Sequence, residues 1–203
     1  SLLQRYTGKI SKIQFGNEWQ SNYWYAGNAG DFIAANNVLY NSVQIYSPLT
    51  QVVLGGFTTI SLRFLAGCNG FVSSFYDDDG TYYSSTYLSA NCPLPAIQNV
   101  INRIDSVLQL AQYDMLDIHL YDDVEQWDEY YINFKDTITK PIIVSEFGGP
   151  NMNYEPYTDS YQANRLYQYI KKLDSLQIQE AYFFKLVEGT ANPAHSTSGL
   201  ISD

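Results

Sequence analysis

Positive charge is scarce in this chain. Its 203 residues carry 11 Lys and Arg against 21 Asp and Glu, which gives a net charge of −10 at pH 7. A surface with this excess of negative charge repels phosphate backbones, so nucleic acid is not an expected partner. The sequence also lacks any apolar run close to the roughly 20 residues that span a bilayer, so no membrane partner is expected.

Cysteine is nearly absent as well. Cys68 and Cys92 flank a segment rich in Ser, Tyr, Asp and Gly. In an oxidising compartment they could form a disulfide across that segment, and in a reducing one they would be free thiols. The sequence leaves both alternatives open. Neither cysteine belongs to a CxxC motif or has a neighbouring histidine, so metal binding through them is not expected.

Tyrosine is abundant, at 19 of 203 residues, and three tryptophans accompany it. With many neutral polar residues and few charges, this composition suits flat surfaces that bind sugars. The simpler alternative is that tyrosine packs at the edge of the core with its hydroxyl in water, and composition alone favours that alternative. An apolar content of 45% over 203 residues predicts one folded domain, residues 1–203.

Short apolar runs alternate with amphipathic helical patterns. We expect strands near residues 10, 51, 115, 141 and 181, and helices over 31–46, 95–111, 124–138 and 158–176. This alternation predicts an α/β fold with a parallel sheet and right-handed crossovers. Asp31 is the expected N-cap of the first of these helices, and the last is expected to turn Ala163, Leu166, Ile170 and Leu173 inward.

The stretch between the second strand and the 95–111 helix is harder to interpret. Residues 58–66 could form a helical turn or two, whereas residues 67–93 have loop chemistry throughout. A loop of that length in a compact domain typically covers a functional face. The three aspartates at 77–79 lack the spacing of a calcium loop, so a solvated turn is the simpler interpretation.

Two of the predicted strands end in glutamate. The sequence KIQFGNEW at 12–19 places Glu18 at a strand end, and PIIVSEFGG at 141–149 does the same for Glu146. The ends of parallel strands meet on one face, so both should lie near His119 and Tyr121, which end the 115 strand. A site with two paired glutamates is therefore predicted. The alternatives are that the two glutamates are structural residues in salt bridges and that His119 is a hydrogen-bonded core histidine.

The motifs GNEW at 16–19 and SEFG at 145–148 resemble the two catalytic signatures of glycoside hydrolase clan A. These are retaining (β/α)8-barrel enzymes that include cellulases, mannanases and xylosidases. The resemblance implies a parallel TIM-barrel type fold in which this chain supplies strands four to eight. It also implies that Glu18 is the acid/base beside Asn17 and that Glu146 is the nucleophile. Tyr121 would reach the nucleophile, His119 would line the sugar pocket, and no metal or organic cofactor would be needed.

Aromatic residues near these motifs are candidate sugar platforms. Trp19 follows Glu18 directly, and Trp24 lies in the loop after it. Many clan members present a tryptophan at strand eight, where this chain has the sequence FFK at 183–185; Lys185 could therefore select a charged or unusual sugar. Trp127 is expected to be a packing residue.

The resemblance leaves the clan's strands one to three without a counterpart. An open sheet of five strands would expose two unpaired edges, so we expect either an upstream segment that completes the barrel or pairing with a second chain. The expected activity is retaining hydrolysis of β-linked oligo- or polysaccharides, with Glu18 protonated near neutral pH. The alternative is a non-catalytic carbohydrate-binding or scaffold protein. The expected location is extracellular or periplasmic.

Overall fold

The computed structural model describes residues 2–77, 80–135, 138–149, 158–187 and 199–200. In chain order the elements are α1 (Leu2–Arg5), β1 (Lys12–Phe15), α2 (Ala29–Tyr46), β2 (Gln51–Phe57), α3 (Thr59–Cys68), β3 (Phe75–Tyr76), β4 (Tyr82–Tyr83), α4 (Ser85–Asn91), α5 (Pro95–Leu110), β5 (Met115–Tyr121), a 3₁₀ turn (Val124–Gln126), α6 (Trp127–Lys135), β6 (Ile142–Gly148), α7 (Asp159–Ser175) and β7 (Ala181–Phe183).

Five strands form one sheet in the order β1-β2-β5-β6-β7, and every neighbouring pair is parallel. Each of the five predicted strands is present, so the α/β prediction is confirmed. The order follows the chain, and helices connect successive strands, as in consecutive units of a (β/α) barrel. β5 is buried at all seven residues, which matches its nearly continuous apolar sequence MLDIHLY.

The first long helix begins earlier than predicted. α2 starts at Ala29, and Asn28 is its N-cap because the Asn28 side chain accepts a hydrogen bond from the Asp31 backbone N–H at 2.9 Å. The prediction of Asp31 as N-cap is therefore wrong by three residues. Asp31 lies in the first turn, where its negative charge still favours the helix N-terminus.

The 67–93 segment is not a loop throughout. It contains the end of α3, the antiparallel hairpin of β3 and β4, and helix α4, which Ser84 caps by accepting from the Tyr87 backbone N–H. Phe75 of the hairpin packs against Phe64 of α3, with ring centroids 5.2 Å apart. Such short elements depend on tertiary packing rather than on local sequence pattern. Asp78 and Asp79 lie outside the described residues.

A disulfide joins Cys68 at the end of α3 to Cys92 just after α4. Of the two alternatives that the sequence left open, the structure has the paired form. The crosslink closes a loop of 24 residues in sequence separation and fixes both ends of the hairpin region. It therefore restrains the part of the chain that has the shortest regular elements.

The buried face of α7 matches the predicted one only in part. Leu173 is buried and Leu166 packs against the core, as predicted, whereas Ala163 is exposed and Ile170 is 54% exposed. Apolar periodicity missed two of the buried positions, Arg165 and Tyr169, because Arg165 is charged and its acidic partners lie outside α7. Among the described residues, no helix combines the length and apolar character needed to cross a bilayer.

Candidate active site

Glu18 lies in the turn directly after β1. Its backbone N–H donates to the Gly56 carbonyl at 2.9 Å, which fixes the turn against the end of β2. Gly16 and Glu18 both have left-handed backbone conformations, with φ values of 77° and 47°. The second value is unusual for a residue with a side chain, and such strain is common at functional sites. The Glu18 side chain is 18% exposed.

Close approach of β2 to this turn requires glycine. A Cβ at Gly55 would lie 2.2 Å from the Gly16 carbonyl oxygen, and one at Gly56 would lie 2.0 Å from His119 Nε2. Both distances are far inside van der Waals contact. The sequence LGGF at 54–57 therefore allows the Glu18 turn and the His119 ring to pack on either side of β2.

β5 and β6 bring the other predicted groups to the same place. His119 Nδ1 lies 2.9 Å from Glu18 Oε1 and 3.6 Å from Glu146 Oε2. The Tyr121 hydroxyl donates to Glu146 Oε2 at 2.7 Å. His119 and Tyr121 alternate along β5 and so share one side of the strand. The structure thus joins all four residues that the sequence placed at strand ends.

His119 does not line an open pocket, and that expectation is wrong. Its side chain is fully buried between the two glutamates and a second set of groups that the sequence analysis missed. Asp117 accepts from the Ser145 backbone N–H at 2.7 Å and from the Ser145 hydroxyl at 2.5 Å. His119 Nε2 lies 3.3 Å from Ser145 Oγ and 3.6 Å from Asp117 Oδ2. The sequence signal that could have revealed this group is an aspartate in an apolar strand, two residues before a histidine, because a buried carboxylate needs polar partners.

These neighbours change the acidity of the histidine. Burial alone lowers the pKa of His119, but the nearby charge of Asp117, the hydrogen bond with Glu18 and the negative charge of Glu146 outweigh it and raise the pKa to about 9. His119 is therefore a cation at neutral pH, and it faces three carboxylates.

One ligand atom each from Glu18, His119 and Glu146 lie within 4.8 Å of one another. A cation could bridge such a group. However, Nδ1 of His119 is engaged by Glu18, and Glu146 accepts from Tyr121, so the geometry is that of a hydrogen-bonded carboxylate pair. We assign no metal here. A separate cavity of about 280 Å³ lies among α3, α5 and α6, where Leu65, Ile104 and Phe134 line it, and none of the site residues does.

The two predicted tryptophan platforms have different environments. Trp19 is fully buried, its indole N–H donates to the Gly55 carbonyl at 3.0 Å, and it stacks on Phe32 at 5.0 Å. The prediction that Trp19 binds substrate is therefore wrong: it is a core residue that anchors the Glu18 turn. Trp24 is 55% exposed and packs edge-on against the 85% exposed Tyr23. Trp127 is buried, as expected for a packing residue.

Asn17 and Lys185 are the remaining predicted substrate contacts. Asn17 precedes Glu18 in the turn and is half-buried. Lys185, also half-buried, follows Phe184, whose ring meets Tyr121 edge-on at 6.4 Å. Phe184 thus places an aromatic side chain beside Tyr121, the residue that donates to the predicted nucleophile Glu146. The sugar-binding roles of Asn17, Trp24 and Lys185 stay predictions.

Two buried arginines hold the turn after β5. Arg165 of α7 forms an ion pair with Asp122 and contacts Glu125 at 2.5 Å. Arg63 of α3 donates to the carbonyl oxygens of Tyr121 and Asp122. Burial lowers the pKa of Arg165, but the hydrogen bonds that its guanidinium donates to Glu125 and Asp122 outweigh this effect, so the pKa is raised. The backbone that carries Tyr121 is thereby fixed from two helices.

Residues 69–203, more than half of the chain, match the family model described as the glycosyl hydrolase catalytic core. The chain belongs to this family. The matched region of the glycosyl hydrolase core contains Glu146, His119, Tyr121 and Lys185, whereas Glu18 precedes it. A search of curated proteins found no match.

Solved structures show the same fold. An endo-β-1,3-glucanase of glycoside hydrolase family 128 from Amycolatopsis mediterranei, a mutant in complex with laminaripentaose, has a TM-score of 0.56 and 13% identity. An exo-β-1,3-glucanase of that family from Aureobasidium namibiae has a TM-score of 0.60 and 16% identity, and a glucosidase from Croceicoccus marinus has 0.61 and 14%.

The alignments cover most of this chain and less of the neighbours. They span 99%, 96% and 96% of this chain, but 72%, 62% and 37% of the Amycolatopsis, Aureobasidium and Croceicoccus proteins. The chain therefore corresponds to part of each of these longer structures. The resemblance to the TIM-barrel glycoside hydrolases of clan A, and the partial (β/α)-barrel fold, are confirmed.

Proposed function

We propose that this glycosyl hydrolase core cleaves β-linked glucan with retention of anomeric configuration, using Glu146 as nucleophile and Glu18 as acid/base. The observation that carries the proposal is that a carboxylate oxygen of Glu18 and one of Glu146 lie within 4.8 Å of each other, and that Tyr121 donates a hydrogen bond to the Glu146 carboxylate. Retaining enzymes place their carboxyl groups about 5 to 5.5 Å apart, whereas inverting enzymes leave roughly 6.5 to 9.5 Å for a water molecule.

The reaction proceeds in two displacements. Glu146 attacks the anomeric carbon while Glu18 gives a proton to the departing glycosidic oxygen, and water then displaces Glu146 as Glu18 accepts a proton from it. Tyr121 holds the attacking carboxylate in one rotamer. Asn17, beside Glu18, donates to the sugar 2-hydroxyl as positive charge develops on the ring.

The substrate class is inferred from neighbours and from the exposed aromatics. Two of the similar structures are β-1,3-glucanases, and one holds laminaripentaose. Trp24 and Tyr23 offer a wet aromatic surface in the loop after Glu18, on which a sugar ring can stack. Lys185, which follows Phe184 after the last strand, selects among sugar substituents. The disulfide between Cys68 and Cys92 fits an extracellular or periplasmic location.

The experiment compares hydrolysis of β-1,3-, β-1,4- and β-1,6-linked glucan oligosaccharides, with product anomers followed by NMR. We expect β-1,3 cleavage with a β-anomer product. Glu146→Ala and Glu18→Ala should each lower kcat by at least about 10³-fold. Added azide should restore part of this activity by forming a glycosyl azide. The anomeric configuration of that product identifies which glutamate was replaced.

Glu180→Gln is the matched control because Glu180 pairs with Lys12, away from Tyr121 and His119. It should leave the rate unchanged. An α-anomer product would contradict the retaining mechanism. Tight binding of oligosaccharides with no turnover would instead support the carbohydrate-binding alternative.

A further inference from the structure

We propose that His119 stores the proton that Glu18 delivers to the leaving oxygen, and that Asp117 and Ser145 are positioning residues that fix the histidine for this role. The inference deepens the proposed function and rests on the acid/base role of Glu18. It assigns a task to a buried Asp–Ser–His group that touches no substrate.

The first step concerns the Nε2 side of the ring. The Ser145 hydroxyl donates to Asp117 Oδ2 at 2.5 Å, and the Ser145 backbone N–H donates to Asp117 Oδ1. Since the hydroxyl hydrogen is used in that bond, Ser145 Oγ presents a lone pair to Nε2 at 3.3 Å. Nε2 must therefore carry a hydrogen, and the tautomer is fixed by its neighbours, as an aspartate does for histidine in other enzymes.

The second step concerns the Nδ1 side. Nδ1 lies 2.9 Å from Glu18 Oε1, a hydrogen bond that contains one proton. That proton sits either on Nδ1, giving an imidazolium beside a carboxylate, or on Oε1, giving two neutral groups. The ring is fully buried whereas Glu18 is 18% exposed, so the carboxyl group is the proton's route toward a substrate.

The groups packed around the ring favour the imidazolium at rest. Glu18 from the β1 turn, Asp117 from β5 and Glu146 from β6 all face it, and Gly56 of β2 packs closely against its Nε2 side. The pKa of about 9 agrees with this arrangement. Formation of the glycosyl ester on Glu146 removes one of the three negative charges, so the histidine then holds its proton less tightly.

The proton balance closes over one cycle. The proton moves from Nδ1 to Glu18 Oε1 and then to the glycosidic oxygen as the C–O bond breaks and Glu146 bonds to the anomeric carbon. His119 is left neutral with its hydrogen on Nε2. When water attacks, Glu18 takes a proton from it and returns that proton to Nδ1, and the Glu146 ester becomes a carboxylate again.

The test is ¹⁵N NMR of histidine-labelled protein between pH 5 and about 10. His195→Gln leaves His119 as the single histidine. We expect Nε2 to be protonated throughout and Nδ1 to titrate above pH 8. Glu18→Gln and Asp117→Asn should each lower that midpoint by about one pH unit, since each removes one facing charge. Asp114→Asn, on the approach to β5 and bonded to the Val52 N–H, is the control and should not move it.

Kinetics separates proton storage from mere support of the fold. The basic limb of kcat/KM should move to lower pH in Asp117→Asn and Ser145→Ala, and Ser145→Thr should restore it. A structural role would lower the rate equally at all pH values. A neutral His119 at pH 7 with its hydrogen on Nδ1, or equal limb shifts in Asp117→Asn and Asp114→Asn, would overturn the inference. A chain without hydrolytic activity would refute the proposed function, and the NMR titration would still decide where the proton lies.

Discussion

At the scale of single residues, the contact between Tyr121 and Glu146 is the clearest link between structure and rate. Tyr121→Phe removes the hydrogen bond to Oε2 and keeps the ring. We expect kcat to fall about 10- to 100-fold, because one charge-assisted hydrogen bond contributes roughly 1.5 to 3 kcal/mol. Steady-state kinetics on the β-1,3-glucan substrate measures this fall in kcat.

The control for this variant is Tyr182→Phe. Tyr182 is 56% exposed and its hydroxyl lies 3.5 Å from Glu180, so it forms a tyrosine–glutamate pair outside the site. Its loss should leave kcat within about twofold, since exposed contacts contribute little. If both variants lost the same activity, the Tyr121 contact would have no special role.

The residues that could be predicted from the sequence are those whose position in the chain is itself unusual. Glu18 and Glu146 were recognisable because a carboxylate at a buried strand end needs a partner. Asp117 and Ser145 were missed because their meeting depends on the register between β5 and β6, which no single stretch encodes. Trp19 was wrongly predicted to bind substrate for a similar reason. It is buried against Phe32 of the next helix, and its local sequence does not reveal this contact.

At the scale of elements, α7 offers a comparison of a buried and a partly exposed ion pair on one helix. Arg165→Met leaves Asp122 buried without its cation, and we expect a loss of about 3 to 5 kcal/mol in the free energy of unfolding. Lys172→Met removes a partly exposed pair with Asp128 and should cost about 0 to 1 kcal/mol. Urea denaturation measures both. Equal losses would show that Arg165 contributes only its aliphatic stem.

The disulfide is the second element-scale feature. Replacing Cys68 and Cys92 by serine together should lower the free energy of unfolding by about 3 kcal/mol, because the 24-residue loop regains freedom in the unfolded chain. For a chain of this size we expect the thermal midpoint to fall by roughly 6 to 10 °C. Calorimetry with and without a reductant checks it, and the double variant should not respond to the reductant.

Long, strongly periodic elements could be predicted, whereas short ones could not. α5 begins at Pro95 as its sequence indicated, since proline suits the first helical turn. β3, β4 and α4 have between two and seven residues each and are stabilised by aromatic contacts and the disulfide. Their local sequence carries too little pattern to distinguish them from a loop.

At the scale of the whole molecule, the sheet order repeats the chain order, and this is why alternation alone predicted the fold. The solved neighbours extend beyond the matched region, since the alignments cover 72% and 62% of the two β-1,3-glucanases. The expectation of an upstream segment or a partner chain stays a prediction.

The net charge of −10 predicts a preference among substrates. A neutral β-glucan should be cleaved faster than its carboxymethylated form, and the ratio of the two kcat/KM values should shrink between about 10 mM and 500 mM salt as screening removes the repulsion. A ratio that does not change with salt would contradict this explanation, and faster cleavage of the carboxymethylated form would instead point to a local contact such as Lys185.

The strained backbone of Glu18 has a consequence for how this chain can change. A residue with φ of 47° costs folding free energy that glycine or asparagine would largely avoid. Glu18 also pairs with the buried imidazolium of His119, and that contact favours the folded state only while His119 keeps its proton, up to about pH 9. Above that pH, a melting screen of position-18 variants beside an activity screen should rank them in opposite orders, because stability and turnover then make opposite demands on this turn.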